Sequence, residues 1–143
     1  MPGELHQNLN SGQLSVVHRR VGPIAALLEA DDIWIVPAGT VIVDAWVNVI
    51  TIDSDAGTPD LVLEMVDDDD GASNAVTIVG ITDIGIAQWV RMTLATANVQ
   101  PSTQKRRIRA KVTGEAAVGD HNIDVYIAAT KDTTSGEPAA ATT

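Results

Sequence analysis

Residues 33–52 read Ile-Trp-Ile-Val-Pro-Ala-Gly-Thr-Val-Ile-Val-Asp-Ala-Trp-Val-Asn-Val-Ile-Thr-Ile, and this stretch decides the fold. β-Branched and aromatic residues dominate it, and these residues favour strands. Pro-Ala-Gly at 37–39 interrupts the run once and is typical of a turn. The stretch therefore predicts two strands joined at a corner, and it contains two of the three tryptophans of the chain.

Composition limits the classes of protein that need to be considered. A chain of 143 residues is the size of one domain with a sizeable core. It has no Phe and one Tyr, so Val, Ile, Leu and Ala must fill an interior with little room for a ligand. The absence of Cys excludes disulfides, thiol catalysis and Cys-ligated zinc.

Charge and hydropathy also predict the compartment and exclude some partners. Neither a signal-peptide pattern nor an apolar run of about 18 residues is present, so we expect a soluble protein made in the cytoplasm, with no membrane partner. A formal net charge of -10 argues against nucleic acid as a partner.

Turn residues divide the chain into segments of the length seen in all-β domains. We predict a polar N-terminal arm at 1–12, one domain at 13–130 and a polar C-terminal tail at 131–143. Segment 24–30, rich in Ala and Leu after Pro23, is compatible with a short helix or a strand. The predicted strands are 13–18, 33–36, 40–52, 61–66, 75–79, 88–96, 105–113 and 122–129.

Alternation gives each predicted strand an inner and an outer face. Strand 40–52 has one wholly apolar face, which we expect in the core: Val41, Val43, Ala45, Val47 and Val49. Its opposite face is mixed: Ile42, Asp44, Trp46, Asn48 and Ile50. Strands 88–96 and 122–129 alternate in the same way, with Val90, Met92, Leu94, Ile123, Val125, Ile127 and Ala129 pointing inward. This pattern predicts an all-β fold, an antiparallel β-sandwich.

Strand 105–113 is exceptionally basic. Its outer face carries a stripe of four cations, Lys105, Arg107, Arg109 and Lys111. Like charges on one face repel, so the stripe requires acidic neighbours. These are either cross-strand residues such as Asp124 or groups on another subunit or partner. Nucleic acid is a third and less favoured interpretation, because no aromatic residue within the stripe could stack a base.

No catalytic constellation and no cofactor motif is recognisable. Four aspartates, Asp67, Asp68, Asp69 and Asp70, precede Gly71 and form a weak candidate for a metal site. An EF-hand register fails at both ends, and a solvated turn is the favoured interpretation. The three histidines are isolated in sequence. We therefore predict that the protein is not an enzyme.

The tryptophans indicate contact surfaces. Trp46 and Trp89 lie on mixed faces, and Trp34 precedes the Pro-Ala-Gly corner. Tryptophan is enriched at interface hot spots, and it also serves as a stacking platform for sugars. Partial burial under loops is the third interpretation. The cluster Ile42, Trp46 and Ile50 favours a subunit interface.

The order of these pieces resembles small virion proteins of tailed bacteriophages. An aspartate pair and an alternating strand lead into Val-Pro-Ala-Gly-Thr, a long strand, and a second strand that ends in an acidic glycine turn, all within residues 31–71. The comparison includes capsid decoration (cement) proteins with a jelly-roll-like sandwich. The resemblance implies a non-enzymatic homotrimer that binds the major capsid protein on the outer head surface of the virion. The alternative is a carbohydrate-binding tail or fibre module that uses Trp34 or Trp89.

Overall fold

The computed structural model describes residues 14–54, 57–93, 103–118 and 120–131. Within these ranges the chain forms eight strands and no helix. The described residues therefore include no helix that is long and apolar enough to cross a membrane. The predicted first and last residues of the strands agree with the structure to within three residues, except that the strand predicted at 88–96 ends at Arg91. Leu94, predicted to point inward, lies outside the described residues, as do the proposed arm and nearly all of the proposed tail. The strands are β1 (Ser15–Val21), β2 (Ala30–Val36), β3 (Thr40–Thr51), β4 (Asp60–Asp67), β5 (Val76–Ile81), β6 (Gln88–Arg91), β7 (Arg106–Thr113) and β8 (Asn122–Lys131).

The strands form two four-stranded antiparallel sheets that pack face to face. The first sheet has the order β1-β8-β3-β6 and the second has the order β2-β7-β4-β5. The neighbours include β1 with β8, β2 with β7, β3 with β6 and β4 with β5, and successive pairs alternate between the sheets. The chain is thus a double-stranded ribbon wrapped around a core, which is the jelly-roll arrangement. The predicted fold class is confirmed.

Small aliphatic side chains fill the space between the sheets. Every predicted inward residue of β8 is at most 4% exposed, and the apolar face of β7 is fully buried. Met92 belongs to the core and Val90 packs against it. Trp89 and Arg91 point outward, as predicted. These buried side chains form one aliphatic core between the two sheets.

A bulge at the start of β3 corrects the predicted faces of that strand. Along β8, Ala129 pairs with Ile42 and Ala128 pairs with Asp44, so Val43 is the extra residue. One inserted residue exchanges the two faces on one side of the bulge. Ile42 is consequently 1% exposed and Val43 is 42% exposed, which reverses the prediction. Val41 is half-buried.

Segment 24–30 is neither the helix nor the complete strand that we considered. Ile24 is buried, the following residues form a turn, and only the last residue begins β2. The Glu29 carboxylate accepts hydrogen bonds from the backbone N–H groups of Ala25 and Ala26, and the N–H of Leu28 donates to the Val112 carbonyl at 2.9 Å. Neighbouring groups satisfy this backbone, so it needs no helical ladder.

Four loops meet at one end of the sandwich around a buried histidine. His121 is 0% exposed, and its Nε2 accepts a hydrogen bond from the Ile24 N–H at 3.3 Å. The neutral ring therefore carries its proton on Nδ1, which lies 3.6 Å from the carboxylate of Asp53. Asp53 also accepts a hydrogen bond from the Val118 N–H. Gly22, with φ of +135°, packs so closely that a Cβ there would collide with the His121 carbonyl oxygen.

Because of the bulge, we expect substitutions at two adjacent positions to lower the free energy of unfolding by very different amounts. Ile42→Ala should lower the free energy of unfolding by about 2–5 kcal/mol, because it opens a cavity in the core. Val43→Ala should cost less than about 1 kcal/mol, because its side chain is exposed. Urea denaturation of both variants measures the two values. Equal costs, or a larger cost at Val43, would contradict the bulge.

Burial of His121 predicts that stability falls in mild acid. Burial disfavours the imidazolium and lowers the pKa of His121 below its usual 6.5, although Asp53 opposes this shift. The unfolded chain therefore takes up the proton first, and stability is lost as pH falls below about 6.5. His121→Gln, which retains an acceptor for the Ile24 N–H, should flatten the unfolding free energy between about pH 7 and 5. An unchanged slope in this variant would show that another group is responsible.

Carboxylates change the stability over a separate, more acidic range of pH. The pKa values of Asp44, Asp120 and Asp124 are lowered from 3.8, mainly by hydrogen bonds from Arg91, Ser54 and Arg20, respectively. Their stabilising contributions are present above that value and disappear as pH falls through the lowered pKa values. The His121 effect can therefore be measured without them.

Candidate functional site: the outer faces of the two sheets

The outer face of the first sheet carries an aromatic cluster. β8 lies between β1 and β3, so Tyr126 pairs with His18 on one side and with Trp46 on the other. Trp89 extends from the edge strand β6 toward the same tyrosine. We call this surface, centred on His18, Trp46, Trp89 and Tyr126, the aromatic face.

The rings of the aromatic face stack on one another. The ring centroids of His18, Trp46 and Trp89 lie 4.6, 5.5 and 5.9 Å from that of Tyr126, with interplanar angles of 14°, 12° and 27°. If two rings lay edge to edge in one plane, with about 3.5–4.0 Å between their nearest carbons, their centroids would be more than about 6 Å apart. The rings therefore cover parts of one another's faces, as offset-stacked pairs do.

Ion pairs make the aromatic face electrically balanced. Arg91 donates to both carboxylate oxygens of Asp44 at 2.9 and 3.0 Å, and Arg20 binds Asp124 at 2.9 and 3.0 Å. His18 adds a 3.2 Å contact to Asp124. The side chain of Arg20 is 62% exposed and that of Arg91 is 77% exposed, so these pairs contribute little to stability. Their main effect is to leave no net charge on this part of the surface.

Exposed apolar side chains accompany the rings. Trp89 is 61% exposed, Val16 57%, Val43 42% and Ile50 39%. Large apolar groups in contact with water on one face are typical of a surface that binds another molecule. Val43 reaches this face only because of the bulge in β3.

Two of the predicted contact residues lie elsewhere. Ile42 is in the core and cannot contact a partner, so its assignment to the outward face was wrong. Trp34 is half-buried and packs against the core, where it lines a cleft between the sheets with Pro37 and Ala129. It does not join the other two tryptophans. Whether Trp46, Ile50 and Trp89 contact a partner stays a prediction.

The basic stripe lies on the outer face of the second sheet and pairs within the chain. Glu64, only 5% exposed, lies between two cations, with Arg109 Nε at 3.1 Å and Lys111 Nζ at 3.9 Å from Oε1. Arg107 faces Asp32 at 3.6 Å, and Lys105 faces Asp68 at 3.1 Å. Acids of the same chain, two of them on neighbouring strands, therefore pair with all four cations of the stripe, as one interpretation predicted.

The identity of the predicted acidic partner was wrong. Asp124 lies on the first sheet with Arg20 and His18, and it faces away from the stripe. A charge pattern indicates that a basic strand needs acids, but only the strand order determines which acids are adjacent.

The acidic turn is bound by cations of its own chain. Asp67 lies 3.1 Å from the buried Arg106 and accepts a hydrogen bond from Asn74 at 2.6 Å. Asp69 accepts the Ser73 N–H at 3.0 Å, and its carbonyl accepts from Arg107. Within the described ranges, no group of three or more His, Cys, Asp or Glu is arranged to hold a metal ion. The turn is thus tied to β7 by ion pairs.

Sequence reasoning missed Tyr126 and His18 as members of the aromatic face. Alternation in β8 already placed Tyr126 outward, because its neighbours Val125 and Ile127 point inward. The missing information was that β8 lies between β1 and β3. No short-range signal carries that information.

No protein-family model matches the sequence, and no curated protein matches it. Solved structures, however, share the fold. A chain in the capsid of Ralstonia phage GP4 matches with a TM-score of 0.57 and 16% identity, over 83% of this chain and 86% of that chain. A chain in the cyanophage Pam1 capsid asymmetric unit matches with a TM-score of 0.57 and 14% identity, over 85% of this chain and 86% of that chain.

A third match comes from the acidic stable capsid structure of Helicobacter pylori bacteriophage KHP30, with a TM-score of 0.57, 8% identity, and coverage of 82% of this chain and 86% of that chain. The resemblance to phage capsid proteins is thus confirmed at the level of the fold. In each case more than four fifths of both chains is superposed.

Proposed function

We propose that this protein is a non-enzymatic structural component of a phage particle, a decoration (cement) protein that binds the outer head surface and stabilises it. The observation that carries the proposal is the shared fold. Three phage capsid structures contain a chain that superposes over 82–85% of this one. Because fold alone does not determine function, the proposal also depends on the surfaces of the sandwich.

The interior supports a structural role. Aliphatic side chains occupy the space between the sheets and leave little room for a ligand there. The cleft beside Trp34 has a volume of about 220 Å³, below the about 300–1,000 Å³ of most small-molecule sites, which are mainly apolar. A second cleft, of about 370 Å³, has a mainly polar lining at the acidic turn: Asp67, Asp68, Asp69, Gln104 and Lys105. Contacts with other proteins must therefore come from the outer surfaces.

The aromatic face is suited to contact between copies of the chain. A net charge of -10 makes two copies repel each other at most orientations. On the aromatic face, however, the cations Arg20 and Arg91 are paired with carboxylates, and Trp89 and Ile50 offer apolar area. We propose that this face forms part of the interface of a homotrimer, the closed oligomer implied by the sequence resemblance. The major capsid protein is the other proposed partner.

A solution measurement tests the oligomer. Light scattering on the purified chain should give a mass of about 45 kDa, three times the 15.0 kDa of one chain. Trp89→Ser should shift the mass toward 15.0 kDa, because it removes the most exposed ring of the interface. Ile35→Thr, which changes an exposed residue of the second sheet, is the matched control and should leave the trimer intact.

The same preparations test attachment to the capsid. The wild-type chain should co-sediment with heads of the encoding phage that have been prepared without it, and it should raise their melting temperature. A monomeric protein that does not co-sediment would contradict the proposal.

The carbohydrate-binding alternative depends on one observation, the 61% exposure of Trp89. Stacking within the aromatic face leaves this ring as the best site for a sugar. If the alternative holds, a glycan array should show binding by the wild type that Trp89→Ala abolishes. Binding that persists in this variant, or no binding by the wild type, would exclude a sugar site at Trp89.

A further inference from the structure

The loops at the His121 end of the sandwich expose apolar side chains. They connect β1 to β2, β3 to β4, β5 to β6 and β7 to β8, and we call this surface the loop end. Five large apolar residues on it are 43–63% exposed: Leu27, Leu28, Ile52, Ile86 and Val118. Outside the strands, the described residues of the opposite end include one large apolar side chain exposed to this extent, Leu14 at 53%.

The conformation of Leu28 is unusual for a leucine. Its φ is +66°, in the left-handed region that favours glycine and asparagine, and its side chain is 63% exposed. The 2.9 Å hydrogen bond to Val112 and the Glu29 carboxylate bonds hold this turn in place. Neither packing nor backbone preference explains a leucine here. A residue in an unfavourable backbone conformation on a surface is typical of a functional position.

The four loops are tied to one another. Ala117 N–H donates to Ala25 O at 2.8 Å, and Asp53 N–H donates to Ile84 O at 3.1 Å. Ser54 N–H donates to the Asp120 carboxylate at 3.0 Å. Each bond joins two different loops, so the exposed residues belong to one preformed surface. Preformed surfaces bind with a smaller entropic cost than surfaces that must become ordered.

The charges of the loop end are all of one sign. Its described charged residues are acidic: Glu29, Asp53, Asp60, Asp83, Glu115 and Asp120. No Lys or Arg occurs anywhere between Arg20 and Arg91 in the sequence. An apolar surface with acidic groups around it is complementary to an apolar surface with basic groups around it.

The chain's own cations are already engaged. Arg19, Arg20, Arg91, Lys105, Arg106, Arg107, Arg109 and Lys111 all lie within 4.0 Å of a carboxylate of the same chain. Lys131 also has an interaction. A second copy would therefore have to break internal ion pairs to supply positive charge to the loop end. Anionic lipid surfaces would repel the acidic loops.

We infer that the loop end is the surface that docks on the capsid shell, on an apolar hollow of the major capsid protein that is surrounded by Lys and Arg. This inference rests on the proposed function, and it assigns attachment to a different surface from self-association. Leu28 is the central contact, because its turn presents it to the partner.

Substitution of Leu28 tests the inference without damage to the fold. Leu28→Asn removes the apolar side chain, and asparagine adopts positive φ more readily than leucine. The variant should therefore melt at or above the wild-type temperature. Its affinity for heads prepared without the protein should fall by at least about tenfold. Ile35→Thr, on the second sheet, should bind as the wild type does. Val118→Thr, which keeps the shape of the side chain, should reproduce the loss.

A charge variant tests the basic partner. Glu29→Gln combined with Glu115→Gln removes two charges and keeps the side-chain oxygens that accept backbone hydrogen bonds. Its binding to the same heads should be weaker and should depend less on salt concentration.

The outcomes separate this inference from the proposed function. If the wild type does not bind heads, both are overturned. If the wild type binds and the two apolar loop variants bind equally well, the loop end is not the docking surface, although the proposed function stands. If Leu28→Asn dissociates the trimer, the loop end contacts a second copy and the inference is also wrong.

Discussion

The position of β8 between β1 and β3 is the constraint on which the rest of the structure depends. This strand joins the β1–β8 pair of the ribbon to the β3–β6 pair, because it pairs with β1 over seven residues and with β3 over ten. Its inward residues form the centre of the core, and its outward residues Tyr126 and Asp124 bind the rings and the arginine of the neighbouring strands. His121, just before it, closes the loop end. One pairing thus sets the core, the aromatic face and the loop end.

The distribution of charge follows from the same architecture. Except for Lys105, the cations lie on strands, where strands beside them supply most of the carboxylates. Glu64 beside Arg109 and Lys111 is the clearest case. Acids without a nearby cation of the chain are concentrated in the loops and turns, including Glu115 and Asp120. Both sheet faces are consequently close to neutral, while the loop end is acidic. A single net charge of -10 therefore describes surfaces with very different binding preferences.

Local patterns were sufficient to predict the strands but not their neighbours. Turn residues and alternation act over a few positions, so all eight strands and the inward residues of β8 were predictable. The bulge at Val43 depends on how β3 meets β8, and the inward position of Ile42 followed from it. The choice of Asp124 as partner of the basic stripe failed for the same reason, since strand order is a long-range property. The turn at Leu28 depends on a hydrogen bond to Val112, 84 positions along the chain.

Separation of the two proposed contact surfaces has a mechanical consequence. The aromatic face is the side of a sheet, whereas the loop end is formed where the strands of both sheets terminate, so the two surfaces do not overlap. A copy can use both at once, and trimer formation then places three loop ends on one assembly. Because linked contacts bind with a high effective concentration, three individually weak contacts hold more firmly than one. Each loop end, with its exposed Leu28, then needs only modest affinity for the capsid shell.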